Sequence, residues 1–186
     1  MVLVLVVGDL HIPYRASDIP EVFKKMFVPG KIGLILITGN ITSAEQLIYF
    51  RTICSNVKVV RGDCDDYAND IPESEVMEVG DLKIGLMHGH QIIPWGDKES
   101  LAMVARRLDV DVLITGHTHQ QKHFEADGRL FVNPGSLTGA FSPFESDIAP
   151  QFVLMDIADR NATAYLYSTP DGTELKVKRK PFTKPA

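Results

Sequence analysis

Val2-Leu3-Val4-Leu5-Val6-Val7-Gly8-Asp9-Leu10-His11 places two metal-capable side chains directly behind six apolar residues. A continuous apolar run of this length reads as a strand buried on both faces, not an alternating half-exposed one. The pattern recurs along the chain. Ile32–Thr38 leads to Asn40, Val57–Arg61 to Asp63, Lys83–Met87 to His88 and His90, and Val112–Thr115 to His117 and His119. Helical segments alternate with these runs. Pro20–Phe27 is one. Another starts at the capping box Ser43-Ala44-Glu45-Gln46, with Leu47, Phe50, Ile53 and Cys54 on one face. A third is capped by Asp97 and carries Leu101, Val104, Ala105 and Leu108 at helical spacing. Strand–helix alternation predicts a largely parallel sheet with helices packed on it.

The texture changes after Gly128. Leu130–Val132, Gln151–Ile157, Thr163–Tyr167 and Glu174–Arg179 read as strands without helices between them, so this half is expected to be antiparallel. Asn133–Pro150 reads as a long loop, and the basic tail Lys176–Pro185 as a solvated edge strand with a frayed end. His123 falls outside the strand-end register and reads as a surface histidine.

Composition narrows the function classes. The 186 residues carry 19 Lys and Arg against 24 Asp and Glu, a net charge of −5. That excludes a nucleic-acid binder working through a basic face, whose affinity comes mostly from Lys and Arg. Two cysteines, Cys54 and Cys64, make no disulfide framework and suit a reducing compartment. The six-residue run Val2–Val7 is too short for a signal-peptide core or a membrane span, so no direct membrane insertion is expected. The expectation is one soluble cytosolic domain over residues 1–186.

Chemistry concentrates at the strand ends. In open α/β sheets the C-terminal strand ends lie along one edge, so residues far apart in sequence converge there. One Asp-x-His after a strand is more often a capped turn than a site. Five such endings in register point to a metal. Imidazoles, carboxylates and one amide suit Zn, Mn, Fe or Co, and they are too many for one tetrahedral ion, which makes a two-metal site the natural reading.

Gly8-Asp9-Leu10-His11, Gly39-Asn40, Gly62-Asp63-Cys64-Asp65, His88-Gly89-His90 and Gly116-His117-Thr118-His119 resemble the five blocks of the calcineurin-like metallophosphoesterases. The resemblance implies an α/β fold, a four-layer α/β/β/α sandwich of two mixed sheets flanked by helices. It also implies a centre for two divalent ions, Zn or Mn, held by Asp9, His11, Asn40, Asp63, His88, His117 and His119. A narrower likeness runs end to end. The segment His88–Asp97, with Asp9–Pro13, Val28–Ile32 and Phe152–Ile157, is similar to the small phosphoesterase-fold subunits of retromer. That likeness implies a scaffold in endosomal cargo retrieval, peripheral on endosomal membranes through its complex, with little or no catalysis. Ile92 and Ile93 would bind the C-terminal α-solenoid of the large retromer subunit. Leu154 and Tyr165 would belong to a second apolar patch that receives regulatory proteins. The alternative is an active metal-dependent phosphodiesterase like small bacterial members of the family, with His90 as the candidate catalytic residue.

The chain departs from active members at three points, two of which favour the scaffold. Asn40 and Asp63 exchange the amide and carboxylate of the second and third blocks, which leaves a neutral group where an anionic bridge between two metals is usual. Cys64 stands where many active members carry histidine, and a thiol is a weak proton donor, but the small bacterial phosphodiesterases that the chain also resembles place Cys at this point, so Cys64 is compatible with the enzyme reading. Ile92-Ile93-Pro94-Trp95 puts apolar bulk at the metal edge, where an exposed patch marks a partner surface more often than a phosphoester site. Of these residues, Ile93 is expected to face out and Trp95 to turn into the core.

Overall fold

A computed structural model describes residues 1–66, 70–143 and 145–185. Eleven strands among the described residues form two mixed sheets. The first has the order β11-β10-β9-β1-β2-β3, built from β1 (Val2–Val7), β2 (Leu34–Ile37), β3 (Val57–Val59), β9 (Gln151–Ala158), β10 (Asn161–Ser168) and β11 (Lys176–Thr183). The second has the order β4-β5-β6-β8-β7, from β4 (Ser74–Val79), β5 (Leu82–Met87), β6 (Val112–Ile114), β7 (Lys122–Ala126) and β8 (Arg129–Asn133). β1, β2 and β3 run parallel, as do β5, β6 and β8; every other pairing is antiparallel.

Apolar side chains on the inner faces form one shared core, with Val4, Val6, Leu34, Leu36, Val153 and Met155 of the first sheet against Ile84, Leu86, Val112, Ile114, Leu130 and Val132 of the second. The opposite face of β1 and β2 packs Leu5, Val7, Ile35 and Ile37 on Phe23 and Phe27 and on Phe50 and Ile53 of the helix Ala44–Ile53 (α2). The helix Lys98–Leu108 (α3) lays Leu101, Ala102 and Ala105 on Met87, Leu113 and Phe131 of the second sheet. Helix, sheet, sheet, helix is the four-layer order that the family resemblance implies. Strands with apolar residues on both faces are required by it, which is why the early runs do not alternate.

Several expectations shift in detail. The predicted helix Pro20–Phe27 shrinks to one turn, Glu21–Lys24 (α1): Lys24 N and Lys25 N bond four residues back, to Pro20 O and Glu21 O, but Met26 N and Phe27 N bond three back, to Phe23 O and Lys24 O, which ends the α pattern. At α2 the Ser43 hydroxyl accepts from Glu45 N at 3.2 Å, one residue short of the predicted box, whereas Asp97 caps α3 on Ser100 N at 2.8 Å. The C-terminal half is not wholly antiparallel: β8 inserts parallel to β6. β4 and β7 have no counterpart in the sequence reading. Both are edge strands with mixed polar composition, and β7 returns into β8 through Asp127 and Gly128, at φ 52° and 70°, the positive-φ pair of a tight hairpin.

Candidate metal centre

All seven residues expected to hold metal follow the C-terminal ends of parallel strands, three from the first sheet and two from the second. The two sheets face each other, so their strand ends open onto one mouth. Asp9, His11, Asn40, His88 and His119 are buried, His117 is half-buried and Asp63 lies at the rim. The backbone turns sharply to aim them. Asp9, His11, Asn40, His117 and His119 have φ of 50°, 49°, 53°, 68° and 57°, a region few non-glycine residues enter. Gly62 meets a different need, close approach: a Cβ there would lie 2.1 Å from Asn40 Oδ1.

Two clusters of donor atoms result, one of Asp9, His11 and His119, the other of Asp63, His88 and His117. His119 Nδ1 donates to the Ala140 carbonyl at 2.6 Å, so its Nε2 turns a lone pair toward His11 Nε2, 3.2 Å away. His88 Nδ1 likewise donates to the Thr38 carbonyl at 2.7 Å and aims Nε2 at Asp63 Oδ1, 2.9 Å away. His117 Nδ1 completes that cluster at 3.3 Å from His88 Nε2 and 3.4 Å from Asp63 Oδ1. Asp9 Oδ1 lies between the clusters, 3.6 Å from His119 and 3.9 Å from His88.

These distances suit metal ligation. An ion with bonds of about 2.1 Å holds its ligands roughly 3.0–3.4 Å apart in octahedral or tetrahedral geometry. Asp9 Oδ1 is fully buried with no hydrogen-bond partner among the described residues, an expensive arrangement for a carboxylate oxygen unless a cation satisfies it. The donor set therefore fits divalent metal, with Asp9 Oδ1 lying between the two clusters. Without metal, protons hold the anionic side together. Hydrogen bonds from His117 and His88 hold the Asp63 carboxyl far below its usual range. Burial disfavours the charged form of His88, but Asp63 and Asp9 outweigh it and raise the pKa. Burial, helped by the Arg15 cation, drops His11 to about 3 and keeps it neutral.

Asn40 joins the clusters through the other end of its amide. Its Nδ2 donates to Asp63 Oδ1 at 2.9 Å and faces His88 Nε2 at 3.0 Å, while its Oδ1 accepts from Cys64 N at 2.8 Å. To ligate through oxygen, the amide has to rotate and release Cys64. His90 stands beside the cluster, its ring 5.4 Å from His88 and 6.1 Å from His117, with a buried Nδ1 lacking a partner among the described residues. Burial and then the His88 charge lower its pKa. Burial and Asp63 raise the Cys64 thiol, so it stays protonated near neutrality.

Two supports escaped the sequence reading. Asp65, buried at 3% exposure, accepts from Asn40 N at 2.7 Å, Thr42 N at 2.9 Å and Gly62 N at 2.9 Å, and so clamps the second ligand loop to the third. Its presence in an Asp-rich turn gave no hint of that role. The long loop after β8 is a cradle: Ser136 and Thr138 donate to the Asp9 and Leu10 carbonyls, and Ala140 orients His119.

Residues 2–160 match the family model described as the calcineurin-like phosphoesterase superfamily domain. The chain is 41% identical over 187 residues to vacuolar protein sorting-associated protein 29 of Schizosaccharomyces pombe, covering 98% of this chain and 99% of that protein. The chain belongs to the Vps29 family. Vps29 from Entamoeba histolytica, solved in complex with Zn2+, superposes with a TM-score of 0.92 at 47% identity, over 97% of this chain and 99% of that one. Vps29 from Chaetomium thermophilum, solved with a cyclic peptide, gives 0.87 at 39% identity, over 100% and 98%.

In this Vps29-family chain the apolar loop beside the two donor clusters splits in two. Ile92 is buried at 4% exposure against Met87, Leu101 and Phe131, so its side chain offers a partner little area. Ile93 is 77% exposed, as expected. Trp95 does not enter the core. It is 44% exposed, its ring edge packs on His117 with centroids 4.4 Å apart, and its Nε1 donates to the His90 carbonyl. On the far layer, Leu154 and Tyr165 are paired neighbours on the outer face of the first sheet, half-buried and pointing away from Val153 and Met155. His123 is half-buried rather than a free surface histidine, and burial lowers its pKa.

Proposed function

We propose that this chain is a retromer subunit that works as a scaffold. Its metal rim, led by Ile93, receives the C-terminal α-solenoid of the large retromer subunit. The outer face around Leu154 and Tyr165 receives short apolar segments of regulatory proteins, and the complex carries the chain to endosomal membranes. Metal ligation by Asp9, His11, Asn40, Asp63, His88, His117 and His119 stiffens the rim, with Zn or Mn as the ions and little turnover.

One observation carries the reading: Ile93 is held out into solvent by a loop fastened at both ends. Ile92 anchors in the core, Ile92 N donates to Gly89 O at 3.1 Å, Asp97 N donates to Pro94 O at 3.2 Å, and the Trp95 indole closes on His90. A side chain ordered in advance loses little entropy on docking, which is what an interface anchor requires. The amide of Asn40, which aims hydrogen rather than an electron pair at Asp63, supports weak rather than efficient chemistry. The test is titration of the purified α-solenoid into wild type and Ile93→Asp. The variant is expected to lose measurable binding while melting within a few degrees of wild type. Unchanged affinity in a folded variant would sink the assignment.

The assembled donor set, with Asp9 Oδ1 awaiting a cation, favours a second reading as a working phosphodiesterase. Turnover of an activated phosphodiester with excess Mn or Zn, abolished in Asp9→Ala, would support it.

A further inference from the structure

We infer that the free edge of β11 accepts an acidic, extended segment of another protein as an added antiparallel strand. This goes beyond the scaffold reading, because the segment would reach the first sheet from its side and not from either outer layer. The observation is a concentration of charge on an unpaired edge. Lys176, Lys178, Arg179, Lys180 and Lys184 fall within nine residues that hold no acid, on a chain whose net charge is −5. β11 is the outermost strand of its sheet, and Lys176–Pro181 are exposed. Lys184 is held by Asp111 at 2.8 Å, whereas no carboxylate among the described residues pairs with the other four.

The edge is ordered and its phase is fixed. β11 is in register with β10 along its whole length, and Phe182 anchors it in the shared core. Lys184 N donates to Arg160 O at 2.9 Å, one step beyond that ladder. Even-numbered residues of β11 therefore bond β10, and the amides of Val177, Arg179 and Thr183 point outward. Pro181, with no amide to present, takes an outward position, where an edge strand tolerates it. An antiparallel strand laid along Lys176–Lys180 would bond both the amides and the carbonyls of Val177 and Arg179. By alternation, Lys176, Lys178 and Lys180 share the side of Phe182, about 7 Å apart, and Arg179 takes the other side. An added strand has the same spacing, so carboxylates at alternate positions would meet the lysine row.

Lysine and proline on an edge also deter pairing between identical chains. The two roles agree. Charges that repel a second copy or a basic strand leave an acidic strand as the one that fits. Cations on both sides of β11 also favour a strand over a planar membrane, which meets one side only.

The probe is a synthetic peptide of alternating glutamate and threonine, titrated into the full chain with amide hydrogen exchange followed residue by residue. Binding is expected to slow exchange at Val177 and Arg179, whose amides face outward in the free chain. The double variant Lys178→Glu/Lys180→Glu should weaken binding at least tenfold at about 50 mM salt, and the difference should shrink near about 300 mM through screening. Both side chains are exposed, so this variant should melt near wild type. The same peptide N-methylated at its threonines, the residues that would face Val177 and Arg179, keeps its charge but cannot complete the ladder and should also bind at least tenfold more weakly. No binding of the parent peptide, or binding without slowed exchange at Val177 and Arg179, would overturn the proposal. Equal affinity for the N-methylated peptide would overturn it too. Capture by vesicles of phosphatidylcholine with one-fifth phosphatidylserine, without peptide binding, would assign the charge to a membrane instead and overturn it.

Discussion

Asn40 shows how much one atom decides at this centre. With Nδ2 turned inward, it supplies hydrogen where a second metal would require an electron pair, and it gives the metal-free ligand cage a neutral clasp. Asn40→Asp is therefore expected to lower the melting temperature without metal, because a second carboxylate would face Asp63 at hydrogen-bond distance. It should then gain more from saturating Mn or Zn than wild type does; ligand that is 100 times its Kd adds about 2.7 kcal/mol to stability. Equal metal-induced shifts in the two proteins would refute this. Asp9→Asn should remove most of the wild-type shift, since among the described residues Asp9 is the carboxylate that lies between the two clusters. The pH dependence has a definite sign. His88 holds a raised pKa through Asp63 and Asp9, so metal has to displace a proton from it. Apparent affinity should climb as pH rises from 5 to 7.5, read by the same melting shift at fixed metal.

At the scale of elements, the loop between β5 and α3 separates two isoleucines that adjoin in sequence. Ile92→Ala removes a buried side chain beside Met87 and Leu101 and should cost about 2–4 kcal/mol, whereas Ile93→Ala should stay within about 0.5 kcal/mol. Chemical denaturation of the two variants measures the contrast directly. The sequence made the strand-to-ligand junctions legible because buried parallel strands and their glycine-flanked ends leave a one-dimensional trace. It could not show which of Ile92 and Ile93 enters the core, because that depends on packing against α3, far along the chain. Trp95 was misjudged for a related reason: its apolar bulk suggested burial, but its partners, His117 and the His90 carbonyl, are at the rim. β4 and β7 left no apolar trace because each is an edge strand, and Glu75 of β4 satisfies its inward position by pairing with Lys58 at 2.5 Å rather than by being apolar.

At the scale of the whole molecule, the shared core between the sheets separates the two faces proposed to bind partners. Ile93 belongs to the layer outside the second sheet, and Leu154 and Tyr165 to the layer outside the first. Sites without common neighbours act independently in free energy. Leu154→Asp should thus abolish capture of an apolar regulator peptide while leaving solenoid affinity unchanged, and chelation of metal should leave peptide binding intact. A shift in solenoid affinity on Leu154→Asp would show that the layers are coupled. Period and spacing alone could not have separated these faces, because Leu154 is flanked by Val153 and Met155 and only strand alternation distinguishes its side from theirs.

The positive φ angles at the ligands also constrain how such a centre decays over evolutionary time. A backbone already bent for Asp9, Asn40, His117 and His119 accepts Asn, Asp or Gly with little added strain and resists valine or isoleucine. A lineage that stopped using metal would therefore drift first toward those three residues and keep its turns. The vacated mouth would retain its shape long after its chemistry was gone, and a partner that recognises shape would not notice the loss.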